Sequence, residues 1–249
     1  MRPAELLVTA DDAPKVTVRD GGPADSEQVT DLFVRTRAHI SGSRRPQVFR
    51  ALMADTALPD PRVVATVAEC DHKIVAAHLT IAGDAPRYWR TMIYRHPSAA
   101  AALAGHRVKK LPARVLRRRA ARVQTERPKG AYNAVHESLV DNPRLQVPAL
   151  GPNDPGPHIG DSGPTIALGL MLVLDREYRG RGISEGVFRH NLGQLQALGL
   201  DRYDCSFRPS DAAAARMHLS MPFDVYRYPT GFFGTLDLHH PDLHTPHRP

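Results

Sequence analysis

The residues best suited to chemistry in this chain are Arg179, Gly180, Arg181 and Gly182. They come after the apolar run Leu170-Met171-Leu172-Val173-Leu174 and precede an amphipathic stretch that opens with Ile183 and Ser184. Glycine takes positive φ at little cost and lets a backbone come close to a ligand. The first N–H groups of a helix have no partners inside it, so a turn leading into a helix can present donors to an anion. Two guanidinium groups beside those donors suit a pyrophosphate. The same residues would also serve as an ordinary strand–loop–helix connection with two exposed arginines, so the surrounding elements have to decide.

Beyond the turn the pattern is ordered. Ile183, Val187, Leu192, Leu195 and Leu198 recur at helical spacing, and Gly199 is a helix stop. Tyr203, Cys205 and Phe207 alternate with Asp204 and Ser206, a strand pattern. Pro209, Ser210 and Asp211 open a second helix that runs to Leu219, with Ser210 or Asp211 as its cap. Residues 223–228 and 232–238 read as two strands around Pro229-Thr230-Gly231.

This order resembles the GNAT superfamily of CoA-dependent N-acyltransferases. The family signature Arg/Gln-x-x-Gly-x-Gly/Ala is similar to Arg179-x-x-Gly182-x-Ser184, with Ser184 departing at the last position. Asp211, Ala214, His218 and Pro222-Phe223 fall where the family's next helix carries Asn, Ala, Tyr or His and Gly-Phe. The resemblance spans residues 166–238 and implies a mixed α/β GNAT fold. That fold has a central, mostly antiparallel sheet, splayed at the CoA site and flanked by helices. It also implies acetyl-CoA as co-substrate, with no metal. Main-chain groups of Leu172, Val173 and Leu174 would contact the thioester arm. Arg179, Gly180, Arg181, Gly182, Ile183 and Ser184 would hold the pyrophosphate, with Asp211 nearby. His218 stands where the family often has a Tyr that protonates the departing thiolate, and an imidazole can do this near neutrality. It also fits a packed helix position. Residues 166–172 carry no carboxylate, so the general base is expected elsewhere: Glu137, which also fits an exposed strand position, His136, Asp204 or a water, unless the substrate arrives as a free amine and needs no strong base. Gly169 inside the strand marks a bulge or a close approach by a ligand.

The front of the chain fits the same fold. Residues 16–19 read as a strand, and Asp25 or Ser26 caps a helix carrying Val29, Leu32, Phe33 and Thr36. A second helix covers residues 46–56. Residues 63–68 and 74–81 form a hairpin around Cys70-Asp71-His72-Lys73. The expected division is an extension at 1–14, one domain at 15–238 interrupted by an insertion at about 84–164, and a His/Pro-rich tail at 239–249. Inside the insertion, residues 98–124 read as helix broken near Pro112. The segment opening at Arg107 and closing at Lys129 holds ten Lys/Arg against Glu126 alone, a net +9 in a chain of +7. The basicity is therefore local, and it suits an acidic carrier protein or tRNA as readily as a solvated helix face. Aromatic interleaving for base stacking is missing there, since Tyr132 is the one nearby ring.

The 249 residues suffice for one substantial core. No run is long and apolar enough for a membrane span, and residues 1–10 lack a signal-peptide pattern. Two cysteines, Cys70 and Cys205, give no disulfide framework, so a reducing cytoplasm is expected. The four histidines after residue 238 lie among prolines and read as an unstructured tail rather than a metal site. A dinucleotide-binding Rossmann unit is disfavoured, because Gly180-x-Gly182-x-x-x-Gly186 has the wrong spacing and comes late. Three functions stay open: acetyl transfer from acetyl-CoA to a primary amine of a small molecule or amino acid; transfer with a substrate delivered by a carrier protein or tRNA; and a non-catalytic CoA-binding module.

Overall fold

A computed structural model describes residues 4–5, 15–41, 46–58, 62–102, 163–207, 217–228 and 231–244. Glu137, His136, Asp211 and the basic segment from Arg107 to Lys129 lie outside these residues.

The first strands are β1 (Ala4–Glu5), β2 (Val16–Asp20), β3 (Val63–Cys70) and β4 (Lys73–Ile81), each antiparallel to the next. An alternating run forms β2, and near-continuous buried runs form β3 and β4, which helices cover on both faces. Residues 4–5, within the expected N-terminal extension, pair with β2. The β3–β4 hairpin closes through Asp71 and His72, both at positive φ (49° and 61°), as a two-residue turn with the right twist requires. Two helices, α1 (Ser26–Ser41) and α2 (Pro46–Asp55), enter between β2 and β3. Asp25 accepts the Gly22 N–H at 2.9 Å and is itself gripped by Arg19, which also binds Glu69 on β3.

After β4 comes α3 (Ala85–Arg95), capped by Asp84, whose side chain accepts the Arg87 N–H. By sequence this stretch belongs to the start of the insertion. In the fold it packs Tyr88 and Met92 into the main core, with Val48, Leu52, Leu79 and Met171. Pro86 and three arginines mask its periodicity, although the buried positions 85, 88 and 92 are helical neighbours. Residues 97–102 are helical too, bearing out the start of the helix expected from residue 98.

The chain returns at β5 (Ile166–Leu174), passes through the basic turn into α4 (Ile183–Ala197), and adds β6 (Arg202–Phe207), β7 (Asp224–Tyr228) and β8 (Gly231–Asp237). Among the described residues, eight strands lie in the order β1-β2-β3-β4-β5-β6-β8-β7, and the β5–β6 pair alone is parallel. One face of β2–β5 carries α1, α2 and α3; α4 covers the other face. Buried polar groups tie α4 down: Thr80 donates to Asn191 (2.8 Å), Asn191 donates to Thr66 (3.2 Å), and Thr66 donates to Gln194 (2.5 Å). Part of the His/Pro-rich tail is built into the fold. Leu243 is buried, and its carbonyl accepts from Arg189 at 2.8 Å.

Candidate functional site

The basic turn is held from below. The Asp175 N–H donates to the Val75 carbonyl at 2.8 Å, and the Asp175 carboxylate takes Arg35 of α1 (3.2 Å) and Lys73 of the hairpin (3.4 Å). Burial alone would raise this carboxyl, but Lys73, the Glu177 backbone and Arg35 together hold it below its ordinary value. A short 3-10 turn, Arg176–Tyr178, then leads to Gly180 at φ 77° and Gly182 at φ 71°. Gly182 is the N-cap of α4. A Cβ on either glycine would meet nothing within 4 Å, so both face open space. The first N–H groups of α4 start there. Arg179 and Arg181 are exposed, with the Arg181 guanidinium 5.3 Å from the Tyr178 ring centroid. Glu185, the acid in the first turn, is drawn back along the helix by Arg189 at 2.9 Å. The positive end of α4 is thus left facing solvent with two arginines beside it.

Above the turn the sheet splits. β5 and β6 pair only as Ile166↔Arg202, Ala167↔Tyr203 and Leu168↔Asp204, and then part. The Asp175–Val75 hydrogen bond fixes the alternation of main-chain direction along β5. Residues 171, 173 and 175 bond toward β4, so Leu172 and Leu174 turn their main chains toward the β6 side. Val173, expected to contact a ligand with its main chain, directs it to β4 instead. The period of two cannot place three consecutive residues on one edge.

A bulge sits at the fork. Leu79 pairs with Met171 and Thr80 with Gly169, which leaves Leu170 as an extra residue on β5. The side chains change parity there: Leu168 and Leu170, then Met171 and Val173, join the α1–α3 core, while Leu172 and Leu174 pack on the α4 side. The bulge expected from Gly169 lies beside that residue. The close approach is by Tyr203, whose phenol occupies the space a Cβ on Gly169 would need. Tyr203 crosses β5 over this gap, and its hydroxyl lies 3.1 Å from Nε2 of His78 on β4. Both residues are buried (2% and 1% exposed), and Nδ1 of His78 has no hydrogen-bond partner among the described residues. Burial, with His218 as a second cause, pushes the His78 imidazole down to about 3. Burial likewise raises the Tyr203 phenol. The pair is therefore neutral at ordinary pH.

His218 lies at the far side of this cluster, buried and stacked on Phe207 at the end of β6 (4.7 Å, 11°), with Phe223 at 5.0 Å. Asp204, one of the bases considered, is buried at 2% and accepts from Arg202 at 2.9 Å. A second buried carboxylate has no signal in the sequence. Asp55 at the end of α2 accepts from Arg95 (2.7 Å) and the Tyr88 hydroxyl (2.8 Å), and its other oxygen meets His96 Nε2 (2.8 Å). Burial opposes its charge, but these donors outweigh it and hold the carboxyl below its ordinary value. The partners lie 33 to 41 positions from Asp55, with no local motif to betray them. Among the described residues, no group of three or more His, Cys, Asp or Glu is placed to hold a metal, and no helix is long and apolar enough to cross a membrane.

No family model and no curated protein matches the chain by sequence. Solved structures match it by fold. The chain is similar to the GNAT domain of S. lividans PAT at TM-score 0.52 and 10% identity, over 94% of this chain and 96% of that one. The chain has the GNAT fold. Two structures with ligands share this GNAT architecture. PaiA N-acetyltransferase from Thermoplasma acidophilum, in complex with coenzyme A, matches at TM-score 0.50 and 8% identity, over 90% of this chain and 99% of that one. The yncA protein of Salmonella typhimurium, with its cofactor acetyl-CoA, matches at TM-score 0.50 and 11% identity, over 90% and 95%. The GNAT fold predicted from residues 166–238 is therefore borne out across most of the chain.

Proposed function

We propose that this chain transfers an acetyl group from acetyl-CoA to a primary amine of a small molecule or amino acid. The observation that carries this reading is the conjunction at β5. The strand parts from β6 beyond Leu168 and ends in a turn whose two positive-φ glycines face open space at a helix N-terminus. The coenzyme A and acetyl-CoA complexes among proteins of this fold support the same choice of donor. In this reading Arg179 to Ser184 hold the pyrophosphate, Leu172 and Leu174 line the thioester arm with main-chain groups, and Asp211 adds to the turn. The amine nitrogen attacks the thioester carbonyl directly. A C–N bond forms, the C–S bond breaks, nitrogen gives up a proton and sulfur gains one. His218 is the proposed donor of that proton, and Glu137 the proposed acceptor from the amine. The working domain is residues 15–238 with its insertion, acting in the cytoplasm.

A second reading keeps the acyl transfer but has an acidic carrier protein or tRNA deliver a substrate. It is favoured by α3, which precedes the basic segment in sequence and exposes Arg87, Arg90 and Tyr94 (86% exposed). Calorimetry tests the donor. Acetyl-CoA and CoA should bind the wild-type chain, and an Arg179→Ala/Arg181→Ala variant should bind them about 10- to 100-fold more weakly, the loss expected for two charge-assisted contacts. Absence of binding by the wild type would reject both acetyl-CoA as donor and a CoA-binding module, and leave a carrier-delivered substrate or a GNAT-like scaffold that binds no CoA.

A further inference from the structure

The Tyr203–His78 hydrogen bond belongs to none of the roles above, yet it sits at the fork. Tyr203 stands on β6 opposite Ala167, the last-but-one pair before the strands separate. Ala167 and Gly169 lie on the same face of β5, two residues apart. Because Gly169 has no side chain, the phenol crosses β5 there and meets His78 on β4. One side chain thus ties three strands together, and the tie passes over the residue that precedes the bulge at Leu170. Phe188 of α4 backs both rings, at 5.2 Å from His78 and 5.3 Å from Tyr203, and Phe223 lies 6.1 Å from Tyr203. The arrangement is packed, buried and uncharged. A wedge held in this way fixes both how far β6 leans from β5 and where the main chain turns at the bulge.

The geometry points to Tyr203 and His78 as positioning residues: their hydrogen bond across Gly169 sets the β5 main chain beyond the bulge so that it polarises the bound thioester carbonyl. This rests on the acetyl-CoA reading. It is distinct from binding strength, because the anion-holding turn lies at the other end of β5. Small errors of placement at a reacting carbonyl cost far more than small errors at a remote phosphate.

The test uses the full chain and acetyl-CoA labelled with carbon-13 at the thioester carbonyl. Polarisation by an N–H moves the carbonyl resonance downfield and its infrared band to lower frequency, with no acceptor needed. Tyr203→Phe removes the hydroxyl and keeps the ring. We expect the bound carbonyl signal of this variant to fall back at least halfway toward that of free acetyl-CoA, while the Kd for free CoA changes by less than about threefold. His78→Leu removes the same bond from the other side, should give the same shift, and stands in if Tyr203→Phe does not fold. A variant that melts earlier yet keeps the wild-type carbonyl signal would reduce the bond to a structural one and overturn the positioning role. Wild-type protein that binds no CoA would overturn the acetyl-CoA reading first, and the positioning role with it.

Discussion

The two ends of β5 each depend on glycine, for opposite reasons. At the fork, Gly169 is required for its missing volume: its neighbours fill the space and its φ is ordinary. At the turn, Gly180 and Gly182 are required for their positive φ, and the space around them is open. The surroundings match. The fork is lined by Tyr203, His78 and Phe188, all buried. The turn is lined by exposed Arg179 and Arg181. One end is a packed joint in which position is set by contact. The other is a site in which charge and donors wait at a surface. On the proposed reading, β5 carries a flexible substrate between two such ends and needs both kinds.

The largest loss of stability is expected at the fork. Gly169→Ala forces a methyl group into the Tyr203 phenol. Either the ring leaves, stranding His78, or β5 shifts. Overpacking of this kind costs about 2–3 kcal/mol. Urea unfolding should show that loss, and the loss should shrink by more than half when the same change is made in a Tyr203→Leu background. Equal losses in the two backgrounds would mean that the glycine serves the bulge itself and not the crossing side chain.

The next effect is a pH dependence confined to the same end. His78 is neutral when folded down to about 3, whereas an unfolded histidine takes its proton near 6.5. Between those values the unfolded chain holds one more proton than the folded one, so stability present above pH 6.5 is lost as pH falls toward 3. The loss from pH 7 to pH 5 should be about 2 kcal/mol from this residue. Asp25, Asp55 and Asp175 are also held below their ordinary value of 3.8, so their contribution is lost only in more acid solution. Thermal melts at the two pH values should therefore differ less for His78→Leu than for wild type. An undiminished difference would assign the acid sensitivity elsewhere.

These two ends are not equally legible in the sequence. The turn can be read from one short run of residues, because its physics is local: glycine for φ, arginine for charge, a helix to continue. Before it, β5 declares itself as an unbroken apolar run, and after it β6 declares itself by its period of two. At the fork, Gly169 stands out but its neighbour does not, since Tyr203 and His78 are 125 positions apart and each reads locally as one more strand residue. The Asp55 cluster is silent for the same reason. The α3 helix is hidden by composition, with arginines around its few buried positions. The direction of the Val173 main chain requires the register of β4, which no single strand contains.

The smallest effect on stability comes at the turn. Gly182→Ala meets no neighbour, so its cost is the strain of placing a Cβ at φ 71°, about 1 kcal/mol. The substitution should nevertheless weaken CoA binding about tenfold, because the new methyl projects into the space where an anion would approach the α4 N-terminus. The order of effects is thus reversed between the two glycines. Gly169→Ala should unfold the chain most easily while leaving CoA affinity of the folded fraction nearly intact. Gly182→Ala should barely change the melt and should cost affinity. Unfolding curves and calorimetry on the same two proteins decide between these outcomes. If both variants lose stability and neither loses CoA, the turn at Gly182 is a connection and not a binding site, and the contrast between the two ends of β5 is one of packing alone.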